Sequence, residues 1–402
     1  MPNAIFTLMI FLTLSTPAWA AFPLGWGRSC PLTIPSGQVT ADLVDFPVLV
    51  GYNATTAGET NLPDEMMRTG DANAAQADGG DIRFTLDAAG TLPLHYEIVA
   101  FTQNAALASA KAEIWVKLPE LLTAQDTTFY VWYKASSAQT TPAVDDLHWG
   151  SRGVWSNNYT AVWHLGDGTT VSGIDSTGNG RTGTIYSVTG AAGKIYGAAN
   201  FNGQGSGTYI GLGNSPALNP VIFTISAWVS PHDLTTSTYG YIYSNSRDCC
   251  GIYNGIELRI ASHKFRGLIW NNGSSSITQN GTVADNSGWQ YVAFTYNGAL
   301  KSIYANGALD GSGASTLGVG APASYNAVIG AMGAGPGTYI LDGQLDEVRL
   351  SYAARSAEWI AAEYSNQNAP QSFILDGEPA AASHPAGVSG VSAVTGVSSL
   401  KY

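Results

Sequence analysis

The chain has 402 residues, of which 11% are charged, with 47 glycines and a formal net charge of −12. That length leaves room for two domains. The acid surplus excludes a function built on Lys and Arg meeting phosphates, so neither nucleic acid nor a polybasic membrane contact is expected.

In chain order, residues 1–20 come first. AIFTLMIFLTLSTPAWA is an apolar run closing on Ala18-Trp19-Ala20, a small-x-small cleavage pattern, and it reads as a secretory signal peptide although Met1-Pro2-Asn3-Ala4 carries no Lys or Arg. The run is too short for a membrane span. The expectation is a secreted chain, extracellular or at a cell surface, with no membrane insertion after signal cleavage.

Residues 21–147 read as a first β-sandwich domain. DFPVLVGY is a continuous apolar run, DIRFTL sets Ile82, Phe84 and Leu86 on one face, AEIWVKL does the same with Ile114, Val116 and Leu118, and TTFYVWYKA alternates Phe129, Val131 and Tyr133. SSAQTTPAVDD, residues 136–146, has the composition of a linker. Residues 148–378 continue as short strands punctuated by Gly, Asn and Pro, among them FTISAWVS, YGYIYSN, GIELRIAS, KFRGLIW and GWQYVAFTYN. Many short strands at close spacing predict a sandwich or jelly roll. Asn306-Gly307 predicts a tight hairpin, and SAEWIAAEY a single helix with Ser356 as N-cap and Glu358 in its first turn. Residues 379–402 are small and of low complexity, the composition of a disordered tail. The fold class is therefore all-β, two sandwiches with one short C-terminal helix.

Three cysteines, Cys30, Cys249 and Cys250, cannot all pair within one chain. A vicinal Cys249–Cys250 bridge and a bridge from Cys30 to one of them are both open. Without nearby His they make no zinc site.

Residues 148–378 resemble the laminin-G-like, concanavalin-A-type jelly-roll lectin superfamily in its bacterial form. The carriers, in order, are AVWHLGDG, DSTGNGRTGT, AANFNGQGSGTYIGL, FTISAWVSP, GWQYVAFTYNGALKSIYANGALDG and LDGQLDEVRLSYAARSAEWIAAEY. The first region resembles a bacterial β-sandwich family of unassigned function through LTIPSGQVTADLVDFPVLV, GGDIRFTLDAAGTLPLHYEI and AEIWVKLPELLTAQDTTFYVWY. The lectin resemblance implies a structural calcium at the sandwich edge, with Asp346 as one ligand. Asp346 draws attention on its own account: strict alternation through LDEVRL puts it on the apolar face with Val348 and Leu350, where an unpaired carboxylate is costly. Asp175 and Asn179, in the oxygen-rich turn DSTGNG, are the expected partners for calcium. The alternative is that Asp346 accepts backbone N–H groups from a turn. The same loop spells a formal G-x-G-x-x-G, but the strand-like TIYSV after it does not suit a dinucleotide site.

Some relatives of this fold hydrolyse β-glucans with alternating acids on one strand. Here alternation points Asp346 and Glu347 to opposite faces and leaves Glu257 alone, so no catalytic set emerges. Tyr241, on a strand with Tyr239 and Tyr243, and Trp270 with Asn271 could instead stack on sugar rings and bond their hydroxyls; the competing reading is that they pack within the sandwich. The expected function is non-catalytic binding to a glycan or a surface protein. A structural surface or particle-decoration role without sugar binding is the alternative, and a glycoside hydrolase a further one.

Overall fold

The computed structural model describes residues 22, 24–54, 60–232, 239–246, 254–272, 274–276, 280–283, 288–315, 317–320, 326–333 and 339–382. The expected signal peptide, Cys249, Cys250 and residues 383–402 of the expected tail lie outside the described residues.

The first domain holds β1 (Trp26–Ile34), β2 (Leu43–Asn53), the one-turn α1 (Asp64–Met67), β3 (Arg83–Thr85), β4 (Tyr96–Thr102), β5 (Lys111–Leu121) and β6 (Thr127–Ala135). They form two sheets, β1-β6-β3 and β2-β5-β4. The buried Cys30 is a free thiol on β1, and burial pushes its pKa up to about 12.

The second domain is the expected jelly roll, with two sheets face to face. The strands are β7 (Tyr159–Trp163), β8 (Thr184–Tyr186), β9 (Thr189–Ala192), β10 (Gly197–Asn202), β11 (Tyr209–Gly213), β12 (Phe223–Pro231), β13 (Tyr239–Ser244), β14 (Gly255–Ala261), β15 (Lys264–Asn271), β16 (Ser274–Ser276), β17 (Asn280–Val283), β18 (Gln290–Tyr296), β19 (Leu300–Ala305), β20 (Ala308–Ala314), β21 (Ala327–Ile329) and β22 (Asp342–Ser351). The front sheet runs β20-β19-β18-β12-β22-β10-β9, with β7 also on β22. The back sheet runs β16-β15-β14-β13-β21-β11-β8, with β17 also on β15. Alternation does the packing. On β12, Ile225, Ala227 and Val229 point into the inter-sheet core, which Ile256, Leu258 and Ile260 of β14 enter from the other sheet. Asn306 and Gly307 close the β19–β20 hairpin with φ of 50° and 79°, the two left-handed residues that the expected turn requires.

Helix α2 (Ala357–Asn368) begins where expected: the Ser356 hydroxyl accepts the Trp359 N–H at 3.2 Å. Its role was not legible. It lies between the domains, and Glu363, Asn366 and Gln367 are buried on it alongside Trp359, Ile360 and Ala362. Trp228 donates its indole N–H to Gln367 at 2.6 Å from one side. From the other, Leu49 of β2 donates to Asn366 at 2.7 Å and accepts from it at 3.2 Å. The Trp359 ring packs edge-on to Phe46 of β2, centroids 4.7 Å apart. One hydrophobic core therefore runs from Phe46 and Trp115 in the first domain through Trp359 to Trp228 and Tyr291 on the front sheet.

The chain then returns to its start. β23 (Leu375–Asp376) and β24 (Ala380–Ala381) both pair antiparallel with β1. The first domain thus includes residues from the far end of the chain. The expected boundary at 378 and the expected onset of the tail at 379 are corrected: backbone hydrogen bonds hold Ala380 and Ala381 to β1.

Candidate functional site

The question posed by Asp346 is answered by a β-bulge. On β12, Ser226 pairs with Arg349 and Trp228 with Asp346, so two steps on one strand span three on the other. The extra residue is Glu347, in the left-handed region at φ 53°. Leu345 and Val348 enter the inter-sheet core, while Asp346, Glu347 and Arg349 all face out toward the first domain. The expectations that Asp346 shares a face with Val348, and that Asp346 and Glu347 point apart, are both corrected.

Opposite these residues stand Glu97 of β4 and Glu113 and Trp115 of β5. His164, just after β7, sits among them. Its Nδ1 lies 2.5 Å from Glu347 and 3.3 Å from Glu113, and its Nε2 3.4 Å from Glu97. Arg349 pairs with Glu347 at 2.5 Å and with Glu363 of α2 at 3.2 Å, and its guanidinium lies 4.2 Å from the Trp115 ring and 4.9 Å from the Trp155 ring. Indole N–H groups complete the set, from Trp115 to Glu113 at 2.9 Å and from Trp155 to Glu97 at 2.5 Å.

Burial and charge set the proton positions. Burial, reinforced by the Glu347 charge, pushes the Glu113 carboxyl up to about 7. Asp346 rises well above its ordinary value through burial and then repulsion from Glu347 and Glu113. Burial opposes the charge on Glu347 too, but His164 and Arg349 outweigh it and hold Glu347 down at about 2. Burial alone would lower His164; the Glu347 charge and its carboxylate hydrogen bonds raise it well above the usual value. The surroundings thus favour the charged imidazolium of His164 and the protonated forms of Glu113 and Asp346.

Glu113, His164 and Glu347 bring ligand-type atoms within 4.8 Å of one another. The 2.5 Å His164–Glu347 separation is a charge-assisted hydrogen bond. It is too short to straddle a metal, whose ligand atoms would sit about 3 Å apart. His164 and Glu97 also line the floor of a cleft of about 320 Å³ between the domains, walled by Val99, Asp167, Thr170 and Ile174.

The expected calcium set is differently occupied. Asp175 accepts N–H groups from Val162, Thr177 and Arg181 and the Thr177 hydroxyl, at 2.7–3.3 Å. Asn179 turns its amide donors toward the Tyr159 and Thr160 carbonyls, and the Arg181 guanidinium enters the same turn at 2.9 Å from Thr160 O. Asp346 accepts the Ile195 N–H at 3.0 Å, the backbone-capping alternative. These residues do not fit a shared calcium: both Asp175 oxygens are committed to donors, Asn179 turns its amide donors inward, and the Arg181 guanidinium occupies the turn. Calcium or EDTA is accordingly expected to leave the melting temperature of the purified protein unchanged; a calcium-dependent rise lost in Asp175→Asn would place an ion there.

The expected sugar platform is partly corrected. Tyr241 is on the outer face of the back sheet but only 1% exposed, and its hydroxyl accepts from Arg259 at 2.5 Å. Trp270 is on the same face, half-buried at the far end of β15. Asn271 gives its amide to the Gly318 carbonyl at 3.0 Å. The aromatics that sequence reasoning missed are Tyr186 of β8 and Tyr209 of β11. They pair across the strands and stack at 4.3 Å and 11°, with Tyr186 44% exposed. Tyr239 and Tyr339 meet edge-on at 5.3 Å on the β13 side. The alternation of TYIGL held the signal for Tyr209; the three-residue β8 was too short to show one.

Residues 202–361 match the family model of the concanavalin A-like lectin/glucanases superfamily, and residues 78–147 that of a domain of unknown function, DUF2341. No curated protein sequence matches the chain. Among solved structures, the chain is similar to domain 4 of the extracellular arabinanase AbnA from Geobacillus stearothermophilus, in complex with arabinotriose (21% identity, 51% of this chain, 97% of that one, TM-score 0.38). It is also similar to the CBM40 of the Ruminococcus gnavus IT-sialidase, bound to α2,3-sialyllactose (13% identity, 42% of this chain, 96% of that one, TM-score 0.35). A third is the binding domain of Paraclostridial Mosquitocidal Protein 1 (12% identity, TM-score 0.42), where the match spans 52% of each chain. Those ligands are properties of those proteins.

Proposed function

Starting from a chain that carries a concanavalin A-like domain behind a domain of unknown function, we propose a secreted, non-catalytic glycan-binding protein that uses the outer face of its back sheet. One observation carries the reading. The two outer faces of the sandwich are not equivalent: the first domain and α2 seal the front one, through Trp228, Tyr291, Glu347 and Arg349. The back face meets neither among the described contacts and presents Tyr186, Tyr209, Tyr239 and Trp270. Aromatic rings stack on the apolar faces of sugars, and the domain superfamily is one of lectins and glucanases. The apolar leader supports export, and no described helix is long and apolar enough to cross a membrane.

A single shallow site of this kind binds weakly, with Kd on the order of 0.1–1 mM, or about −4 to −5.5 kcal/mol. Function at a surface then depends on several copies. On a glycan array followed by titration, Tyr186→Ala is expected to weaken binding by about 1 kcal/mol, roughly five-fold. It should leave thermal stability within about 0.5 kcal/mol, because Tyr186 is a surface side chain. Equal binding by the variant would move the site elsewhere. Sugar release that disappears in Glu97→Gln would replace the binding reading with a hydrolase in the interdomain cleft.

A further inference from the structure

The back face carries a group that a neutral sugar does not call for. Arg259 of β14 and Arg266 of β15 stand directly opposite each other, on the outer face. The intervening Phe265 and the neighbouring Leu258 and Ile260 enter the core and fix that orientation. Like charges at a directly opposed pair repel, so the arrangement opposes folding unless something offsets it. Lys264 adds a third, exposed cation on the same side of β15. In a chain with 17 basic and 29 acidic residues, a local excess of cations is not background.

The protein offsets it only in part. Arg259 has Glu257 at 3.0 Å, the Tyr241 hydroxyl at 2.5 Å, and the Tyr239 and Tyr241 rings at 4.7 and 5.3 Å. Glu257 is 1% exposed, takes the Ser246 hydroxyl and pairs with Arg259. No described residue forms an ion pair with Arg266. The Nε–H groups of both arginines are buried and have no acceptor. A buried donor without an acceptor is costly, and the Arg259 guanidinium stands over the Tyr239 and Tyr241 rings. A planar guanidinium fork suits a carboxylate or sulfate oxygen.

We propose that the back face recognises an acidic glycan, one bearing carboxylate or sulfate groups, and that Arg259 and Arg266 receive the anion while Tyr239 and Trp270 flank the sugar chain. The proposal rests on the glycan-binding reading of the same face and names its ligand class.

The test titrates the full mature chain with polygalacturonate, with its fully methyl-esterified form, which keeps the backbone and removes the charge, and with dextran sulfate against dextran. Binding to at least one acidic polymer, ten-fold or more tighter than to its neutral counterpart and weakening as salt rises, is the expected result. Arg266→Gln should remove most of that preference with an unchanged melting temperature, since Arg266 has no described partner to lose. Arg266→Lys should also lose affinity for the acidic polymer, because an ammonium lacks the planar fork. Equal binding of charged and neutral polymers, or an acid preference unaffected in Arg266→Gln, overturns the proposal while glycan binding stands. Binding to none of the four polymers, nor to any glycan on the array, overturns both.

Discussion

Arg349→Leu is expected to destabilise the protein by about 3–5 kcal/mol, the usual cost of stranding buried charges. Arg349 is 1% exposed and is the fixed cation between Glu347 and Glu363. Glu347 sits on the front sheet and Glu363 on the helix wedged against the first domain, so the loss falls on the seam between domains. Arg349→Lys should recover little, because an ammonium cannot lie flat between Trp115 and Trp155 while bonding two carboxylates. Pairing Arg349→Leu with Glu363→Gln should recover part of the loss, since one stranded charge leaves with its partner. Denaturant unfolding checks all three. A loss under about 1 kcal/mol for Arg349→Leu is the size of a solvated surface pair, and would mean that water reaches the network.

The second large effect is on pH dependence. Three groups of the seam have raised pKa values in the folded protein: Glu113 at about 7, and Asp346 and His164 well above their ordinary values. Each contributes stability that is complete below its unfolded pKa and lost as pH rises through its folded one. Glu347, held at about 2, works the other way: its contribution is present above its ordinary 4.5 and lost as pH falls toward 2. Between pH 5 and 8 the first set is the one that changes. The protein is therefore expected to melt higher at pH 5 than at pH 8. Glu113→Gln keeps an acceptor for the Trp115 indole but carries no charge. It should match the parent near pH 5 and exceed it at pH 8 by on the order of 2–3 kcal/mol. A parent that melts higher at pH 8, or a Glu113→Gln profile parallel to the parent's, would mean that Glu113 is already ionised in the fold.

Local chemistry determined much of this molecule by itself. Asn306-Gly307 makes its hairpin because both residues tolerate positive φ, and Ser356 caps its helix because its hydroxyl reaches the orphaned Trp359 N–H. The strands of both domains were legible because period-two burial is a property of each strand alone, and the ordered motif series identified the jelly roll. The bulge at Glu347 was not legible, because the extra residue exists only relative to β12, and it reverses every facing assignment from Asp346 backward. The cluster was hidden for a related reason. Glu97, Glu113, His164, Glu347 and Glu363 lie on five separate stretches of chain and meet only when two domains and a helix dock. AEWIAAEYSNQN has no clear apolar stripe because it is buried on two sides, through Glu363, Asn366 and Gln367 as well as Trp359, Ile360 and Ala362. Tyr241 and Trp270 share the outer face of the back sheet, but whether an outward ring is open or covered depends on what packs over the sheet. That is a property of the tertiary structure, and it moved the exposed stacking pair to Tyr186 and Tyr209.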